Sequence, residues 1–138
     1  GRLIMAGGTD EVEGIYLADA AFTTLTRLDP NLNQPAALAL SPDGQRVTFI
    51  YSGQLWLMNI DGSNAHPYAN TPGVGVYGYP TWSPDGQWLA VPAAEQGFEN
   101  WSWILVLSAD GNLEKAQRLD LPDLSPINVN RYSRIAWY

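Results

Sequence analysis

The residues that could do chemistry in this chain are a glycine-rich segment, a single histidine and a few loop carboxylates. Residues 73–78 match the G-x-G-x-x-G pattern, in which glycines let a helix N-terminus approach a dinucleotide pyrophosphate. That chemistry needs a helix directly after the glycines, whereas Tyr79, Pro80 and a strand-like run follow here. We therefore predict a loop at this place and no cofactor.

The histidine and the carboxylates do not assemble into a metal site or a catalytic set. His66 is the only histidine and cysteine is absent, so a zinc site lacks its usual ligands, and we expect His66 on an exposed outer strand. No Gly-x-Ser-x-Gly nucleophile elbow is present. Glu95 and Glu99 share one loop, where solvated charge explains them better than a glycosidase pair does. We predict no metal and no catalytic residue.

A repeated phrase indicates the elements that would hold any site. Leu-Ser-Pro-Asp-Gly-Gln-Arg-Val begins at residue 40, and Trp-Ser-Pro-Asp-Gly-Gln-Trp-Leu begins at residue 82. Proline presets φ and Asp-Gly tolerates positive φ, so each phrase predicts a hairpin turn between two antiparallel strands, A and B. A third strand, C, ends at another Asp-Gly pair, and a short strand D follows. The predicted turn residues are Ser41, Pro42, Asp43, Gly44, Asp61, Gly62, Ser83, Pro84, Asp85, Gly86, Asp110 and Gly111. The turn position of these aspartates also argues against calcium binding.

Four strands in each unit and this spacing predict an all-β propeller with three four-stranded blades in one segment, residues 1–138. Blade 2 covers 35–70 and blade 3 covers 78–120. Blade 1 combines 1–29 with a last strand in 131–138, so the chain begins at strand B and ends at strand A. Since propellers have four to eight blades, we expect two chains to close a six-bladed ring as a homodimer with exchanged edge strands. The alternative is a segment of a longer propeller.

Composition excludes several classes of partner. The formal net charge is −7 and Lys115 is the only lysine, so the chain would repel a nucleic-acid backbone. No apolar run approaches the length of a membrane span, and we predict no membrane insertion.

The repeat resembles the TolB-type Pro-Asp propeller family, a relative of WD-type repeats. Its blade has an aromatic residue before Ser-Pro-Asp-Gly and Asn-x-Asp-Gly-Ser after the third strand; residues 82–86 are Trp-Ser-Pro-Asp-Gly and residues 58–63 are Met-Asn-Ile-Asp-Gly-Ser. The resemblance implies an interaction scaffold in the periplasm or otherwise outside the cytoplasm. Similar repeats form the propellers of prolyl-oligopeptidase-type and dipeptidyl-peptidase-type enzymes, whose chemistry lies in a separate hydrolase domain.

The blade pattern places the short turns at one end of the blades and the longer loops at the other, which we call the loop-rich face. Its predicted loops are 6–14, 29–35, 70–79, 92–102 and 120–132. We predict that this face binds a protein or peptide, since aromatic residues among polar groups on loops suit such partners. The candidate residues are Tyr77, Glu95, Phe98, Glu99, Asn100, Trp101, Asn128, Asn130 and Tyr132. Tyr79 and Trp103 fit strand-end core better. Two alternatives are the propeller of a peptidase-linked or carbohydrate-active hydrolase, and a purely structural repeat assembly.

Overall fold

The computed structural model describes residues 3–9, 12–29, 31–68, 74–76, 78–95, 103–120 and 135–137. These residues form three antiparallel sheets. Their one helical segment is a 3-10 turn, Leu113–Lys115. The predicted all-β class is confirmed.

The first sheet contains β1 (Leu3–Thr9), β2 (Val12–Ala18) and β3 (Leu25–Arg27), in that order. The β1–β2 ladder is continuous from Leu3 opposite Ala18 to Thr9 opposite Val12. The predicted loop over 6–14 is therefore wrong, because the strands extend almost to the connection. Gly7 faces Gly14 across the ladder, and backbone pairing between strands does not require a side chain at either position.

The second sheet has the order β4 (Ala36–Leu40), β5 (Arg46–Tyr51), β6 (Gln54–Asn59) and β7 (His66–Pro67). These are the predicted strands A to D. The sheet is the simplest of the three, since each strand pairs with the next one along the chain.

The third sheet contains β8 (Val74–Val76), β9 (Thr81–Trp82), β10 (Trp88–Glu95), β11 (Trp103–Ser108) and β12 (Gln117–Asp120). Both β8 and β9 pair with β10, on the edge opposite β11. The predicted loop over 70–79, with the glycine pattern, thus contains a strand at Val74–Val76. The predicted loop over 92–102 is wrong for residues 92–95, which belong to β10 and of which 93–95 pair with β8. Residues 96–102 lie outside the described residues.

The two Ser-Pro-Asp-Gly turns have the same hydrogen bonds. Ser41 Oγ donates to Asp43 at 2.5 Å and accepts from the Arg46 amide at 2.9 Å. Ser83 Oγ donates to Asp85 at 2.5 Å and accepts from the Trp88 amide at 2.9 Å. Each turn is closed by its own side chains, which explains why the phrase is repeated.

The core consists of two layers, each between neighbouring sheets. Ile15, Val47, Phe49 and Met58 lie at the centre of the layer between the first and second sheets. The layer between the second and third sheets is built on Leu55, Trp82, Leu89, Val91 and Leu107. Successive side chains on a strand point to opposite faces, so the second sheet contributes to both layers.

The predicted C-terminal strand is not formed at residues 135–137, which have no ladder hydrogen bonds. The rest of 131–138 lies outside the described residues. Trp137 Nε1 donates to the carbonyl oxygen of Thr81 at 3.3 Å, so the segment lies beside β9. A strand needs a pairing partner, and the described part of this chain supplies none at that position.

Candidate functional site

The described residues form a concave feature between the strands β4 and β9. A cavity of about 230 Å³ is lined by Leu38, Tyr79, Pro80, Thr81 and Ile135. We call it the inner cavity. It is formed where the second and third sheets meet the segment 135–137.

Both strands beside the inner cavity are irregular. In β4 the pairing shifts between Ala36, opposite Ile50, and Ala39, opposite Thr48. Ala37 lies in this bulge with φ 55°, a left-handed conformation that is costly for alanine. In the third sheet, residues 77–80 separate β8 from β9 while only residues 91 and 92 of β10 lie opposite. Bulges change the direction of side chains and occur next to functional sites.

The described lining of the inner cavity is mostly apolar. Leu38, Pro80 and Ile135 are apolar, Thr81 adds a hydroxyl and Tyr79 a phenol. Among the described residues, the lining includes no carboxylate, imidazole or amine. This chemistry fits an apolar side chain or proline flanked by hydrogen-bonding groups.

A buried hydrogen-bond chain fixes β4 relative to β9. Trp82 Nε1 donates to Thr48 Oγ1 at 3.1 Å, and Thr48 Oγ1 donates to the Ala39 carbonyl at 3.2 Å. The Arg46 guanidinium lies 4.7 Å from the Trp82 ring centroid, and its Nη1 donates to the Ala109 carbonyl at 3.2 Å. Because these contacts join the two sheets, they hold the walls of the inner cavity in place.

The charged groups of the turns have structural partners. The Ser41 hydroxyl, followed by the Gln45 amide, lowers the pKa of Asp43, and Ser83 and Gln87 do the same for Asp85. The Lys115 ammonium, followed by Ser108, lowers the pKa of Asp110. None of these aspartates lines the inner cavity.

Two further observations concern ions and membranes. Within the described ranges, no group of three or more His, Asp or Glu residues is arranged to hold a metal ion. His66 is exposed, as predicted, and its Nδ1 lies 2.6 Å from the Asn64 carbonyl oxygen. No helix in the described part of the chain has the length and apolar character needed to cross a membrane.

Comparison with known proteins identifies the architecture. No protein-family model matches the sequence, and no curated protein is significantly similar to it. The "putative TolB" of Agrobacterium tumefaciens has a TM-score of 0.70 at 21% identity, over 85% of this chain and 44% of that chain. The fold is that of a TolB-like β-propeller.

Enzymes have the same TolB-like propeller fold. Oligogalacturonate lyase from Vibrio parahaemolyticus has a TM-score of 0.66 at 11% identity, over 85% of this chain and 35% of the lyase. Dipeptidyl peptidase 4 from Porphyromonas gingivalis has a TM-score of 0.59 at 15% identity, over 88% of this chain and 24% of the peptidase. The chain thus spans less than half the length of each of these three proteins. At such identities the likeness shows the fold and leaves the function to the site.

Most of the predicted binding residues of this TolB-like propeller fall outside the described residues. They are Tyr77, Phe98, Glu99, Asn100, Trp101, Asn128, Asn130 and Tyr132. Glu95 is the last residue of β10 and pairs with Val74, at the end of the sheet far from the Ser83–Asp85 turn. The assignment of these residues to a binding face stays a prediction.

The structure also separates the two aromatic residues at strand ends. Trp103 is buried, and the Arg118 guanidinium lies 3.8 Å from its ring centroid, so it belongs to the packed sheet. Tyr79 instead lines the inner cavity. Sequence reasoning missed Leu38, Pro80 and Ile135 as lining residues. The signal available was their place on successive A strands, which neighbour each other in a propeller.

Proposed function

We propose that this chain is a non-enzymatic propeller module that binds a protein or peptide at its loop-rich face. In this proposal, the inner cavity anchors one apolar side chain or proline of the partner. The single observation that supports it is the lining of the cavity, whose described residues combine apolar side chains with the hydroxyl groups of Thr81 and Tyr79 and include no carboxylate or imidazole. Binding without turnover is what such a lining can do.

The loop residues extend this proposal beyond the cavity. Tyr77, Phe98 and Trp101 would supply aromatic contact area, and Asn100, Asn128, Asn130 and Tyr132 would supply hydrogen bonds. Aromatic anchors are typical of protein-binding hot spots. The net charge of −7 favours a cationic or neutral partner.

Assembly and location are part of the same proposal. We propose an extracytoplasmic, periplasmic module, on the ground of its resemblance to TolB-type repeats. We also propose that it acts as a homodimer, because the described residues form three sheets and propellers have four to eight blades.

A peptide-display experiment tests the binding function. Peptides selected on the wild-type chain would be measured by fluorescence anisotropy against Trp101→Ala, Phe98→Ala and Leu38→Asp. Leu113→Asp is the control, because Leu113 is exposed on the 3-10 turn and lies away from the inner cavity. We expect at least a tenfold loss of affinity for the first three variants and none for the control. Failure to select any peptide, or equal affinities for all variants, would refute the proposal.

An enzyme propeller is the second candidate, because a lyase and a peptidase share the fold. It predicts turnover of an oligosaccharide or a peptide that Glu95→Gln or Glu99→Gln abolishes. Turnover of either substrate by the wild-type chain would favour this candidate over pure binding. Absence of both binding and turnover would leave a structural role.

A further inference from the structure

The first sheet repeats the hydrogen bonds of the second closely enough to match their positions one by one. The Leu28 amide donates to the Ile15 carbonyl, and the Tyr68 amide donates to the Leu55 carbonyl, both at 2.8 Å. Leu3 faces Ala18 in the first sheet just as Val47 faces Met58 in the second. Leu3 and Met5 of β1 therefore correspond to Val47 and Phe49 of β5.

The exposure of these matched positions is reversed. Val47 and Phe49 are 0% exposed, whereas Leu3 is 52% and Met5 is 39% exposed. Leu25 on β3 lies opposite Ala18 of β2 and is 57% exposed. The first sheet thus presents an apolar face, which we call the open face, at positions that a neighbouring sheet covers in the rest of the fold.

The edge of β1 that faces away from β2 is also open in the described part of the chain. In the second sheet β4 pairs along the edge of β5, and in the third sheet β9 pairs along the edge of β10. Among the described residues, β1 pairs only with β2. Its sequence, Leu-Ile-Met-Ala-Gly-Gly-Thr, contains none of the Lys or Pro residues by which edge strands usually avoid pairing. This edge is therefore suited to accept one more strand.

The complementary surfaces lie at the other end of the chain. Leu119 on β12 is 50% exposed and lies opposite Ile104 of β11. Because side chains alternate along a strand, Ile104 points away from the core layer that contains Leu105 and Leu107. The segment 135–137 lies beside β9 without a strand partner. Among the described residues, β1 thus has an edge that pairs with no strand, and the segment 135–137 has no strand edge to pair with.

We propose that a second copy of this chain covers both surfaces. The open face packs on the partner's third sheet, and the partner's segment 135–137 pairs with β1. In the partner's segment, Trp137 and Ala136 would take the places that Trp82 and Thr81 have on β9. Since Trp82 pairs with Leu89 and Thr81 with Ala90, Trp137 would lie opposite Leu3, and Ala136 opposite Ile4.

Two observations favour a second copy as the occupant. The contact would repeat the face-to-face packing that already joins consecutive sheets within the chain. The chain itself also carries both complementary surfaces, the open face on the first sheet and the exposed Leu119 on the third. A head-to-tail contact between identical chains is stable as a closed ring if its rotation closes. This inference rests on the proposed ring and names its interface.

Light scattering over a dilution series tests the assembly. We expect a mass of twice 15.1 kDa for the wild-type chain. Leu3→Glu combined with Met5→Glu would raise the dissociation midpoint at least tenfold, with unchanged circular dichroism. The matched control is Leu40→Glu, since Leu40 is 42% exposed on β4 of the second sheet, which takes no part in the proposed contact, and it would leave the midpoint unchanged. A folded monomer at all concentrations would overturn the inference, and so would a dimer whose dissociation midpoint the double substitution leaves unchanged.

Cross-linking tests the strand register. The chain has no cysteine, so Ile4→Cys with Ala136→Cys introduces the only two thiols. Oxidation should produce a covalent dimer that reductant reverses, whereas Thr26→Cys with Ala136→Cys should not, because Thr26 lies on β3. A non-covalent dimer without the first cross-link would overturn the register. Peptide binding by a monomer would overturn this inference alone, and a dimer that binds no peptide would refute only the proposed function.

Discussion

The hydrogen-bond chain behind the inner cavity gives the sharpest test of how the sheets are held together. Thr48 is fully buried, and its hydroxyl both accepts from the Trp82 indole and donates to the Ala39 carbonyl. Thr48→Val preserves the shape of the side chain and removes the hydroxyl. The substitution leaves the indole N–H and the carbonyl buried without that partner.

The expected cost follows from the two groups that lose their partner. A buried polar group left unsatisfied costs about 1–3 kcal/mol, and the added methyl offsets part of this through apolar burial. We expect Thr48→Val to lower the free energy of unfolding by about 2 kcal/mol. Thr26→Val is the control, because Thr26 is exposed on β3, and such surface changes usually stay within about 0.5 kcal/mol.

A double-mutant cycle in chemical denaturation isolates the Trp82–Thr48 bond. Trp82→Phe removes the donor, so Thr48→Val should cost about 1 kcal/mol less in the Trp82→Phe background than in the wild type. All variants are compared at one protein concentration, since assembly contributes to stability. An equal cost in both backgrounds would show that the indole does not depend on Thr48, and would refute the reasoning.

Three other predictions concern turns, charge and the sheet contact. Gly62→Ala should cost at least about 2 kcal/mol and Gly44→Ala about 1 kcal/mol in thermal unfolding. Both glycines have positive φ, but only at Gly62 would the new Cβ meet a backbone carbonyl oxygen, at 2.5 Å. Arg46→Lys should lose about 1 kcal/mol of stability in denaturant, because an ammonium cannot reproduce the stacked, forked contact with Trp82 and the neighbouring carbonyls. In a pH series of melts, the contribution of Asp19 to stability should be full above about pH 5 and fall on acidification toward about pH 2. The reason is that the Thr23 side chain and amide lower the pKa of Asp19 from 3.8 to about 2, so protonation favours the unfolded chain.

The features predictable from the sequence are those fixed by local chemistry. Ser41 and Asp43 satisfy each other and the adjacent amides within six residues, so the turn is visible in the sequence alone. Strands β5 and β6 carry apolar runs bounded by such turns. The fold class followed because four such strands recur at one spacing.

The features missed depend on contacts between distant residues. Strands β1 and β2 include Gly7, Gly8 and Gly14, which suggest a loop in the sequence. Pairing along the whole length of the two strands nevertheless keeps the ladder continuous. Strand β8 forms because β10 offers a free edge to residues 74–76. The bulge at Ala37 has no sequence signal at all, because alanine is an unfavourable residue for positive φ. Leu38, which lines the inner cavity, follows this bulge directly, so the pattern of A strands indicates where the cavity lies but not how Leu38 is placed in it.

Ring closure and ligand binding should be thermodynamically linked in this architecture. Ile135 lines the inner cavity, and it belongs to the segment that would pair with β1 of the second copy. Pairing would order that segment, so a ligand touching Ile135 would bind the dimer more tightly than the monomer. By reciprocity, the same ligand would strengthen the dimer by the same factor. Repeating the dilution series with a saturating selected peptide should therefore lower the dissociation midpoint, whereas an unchanged midpoint would mean that the cavity is complete within one chain.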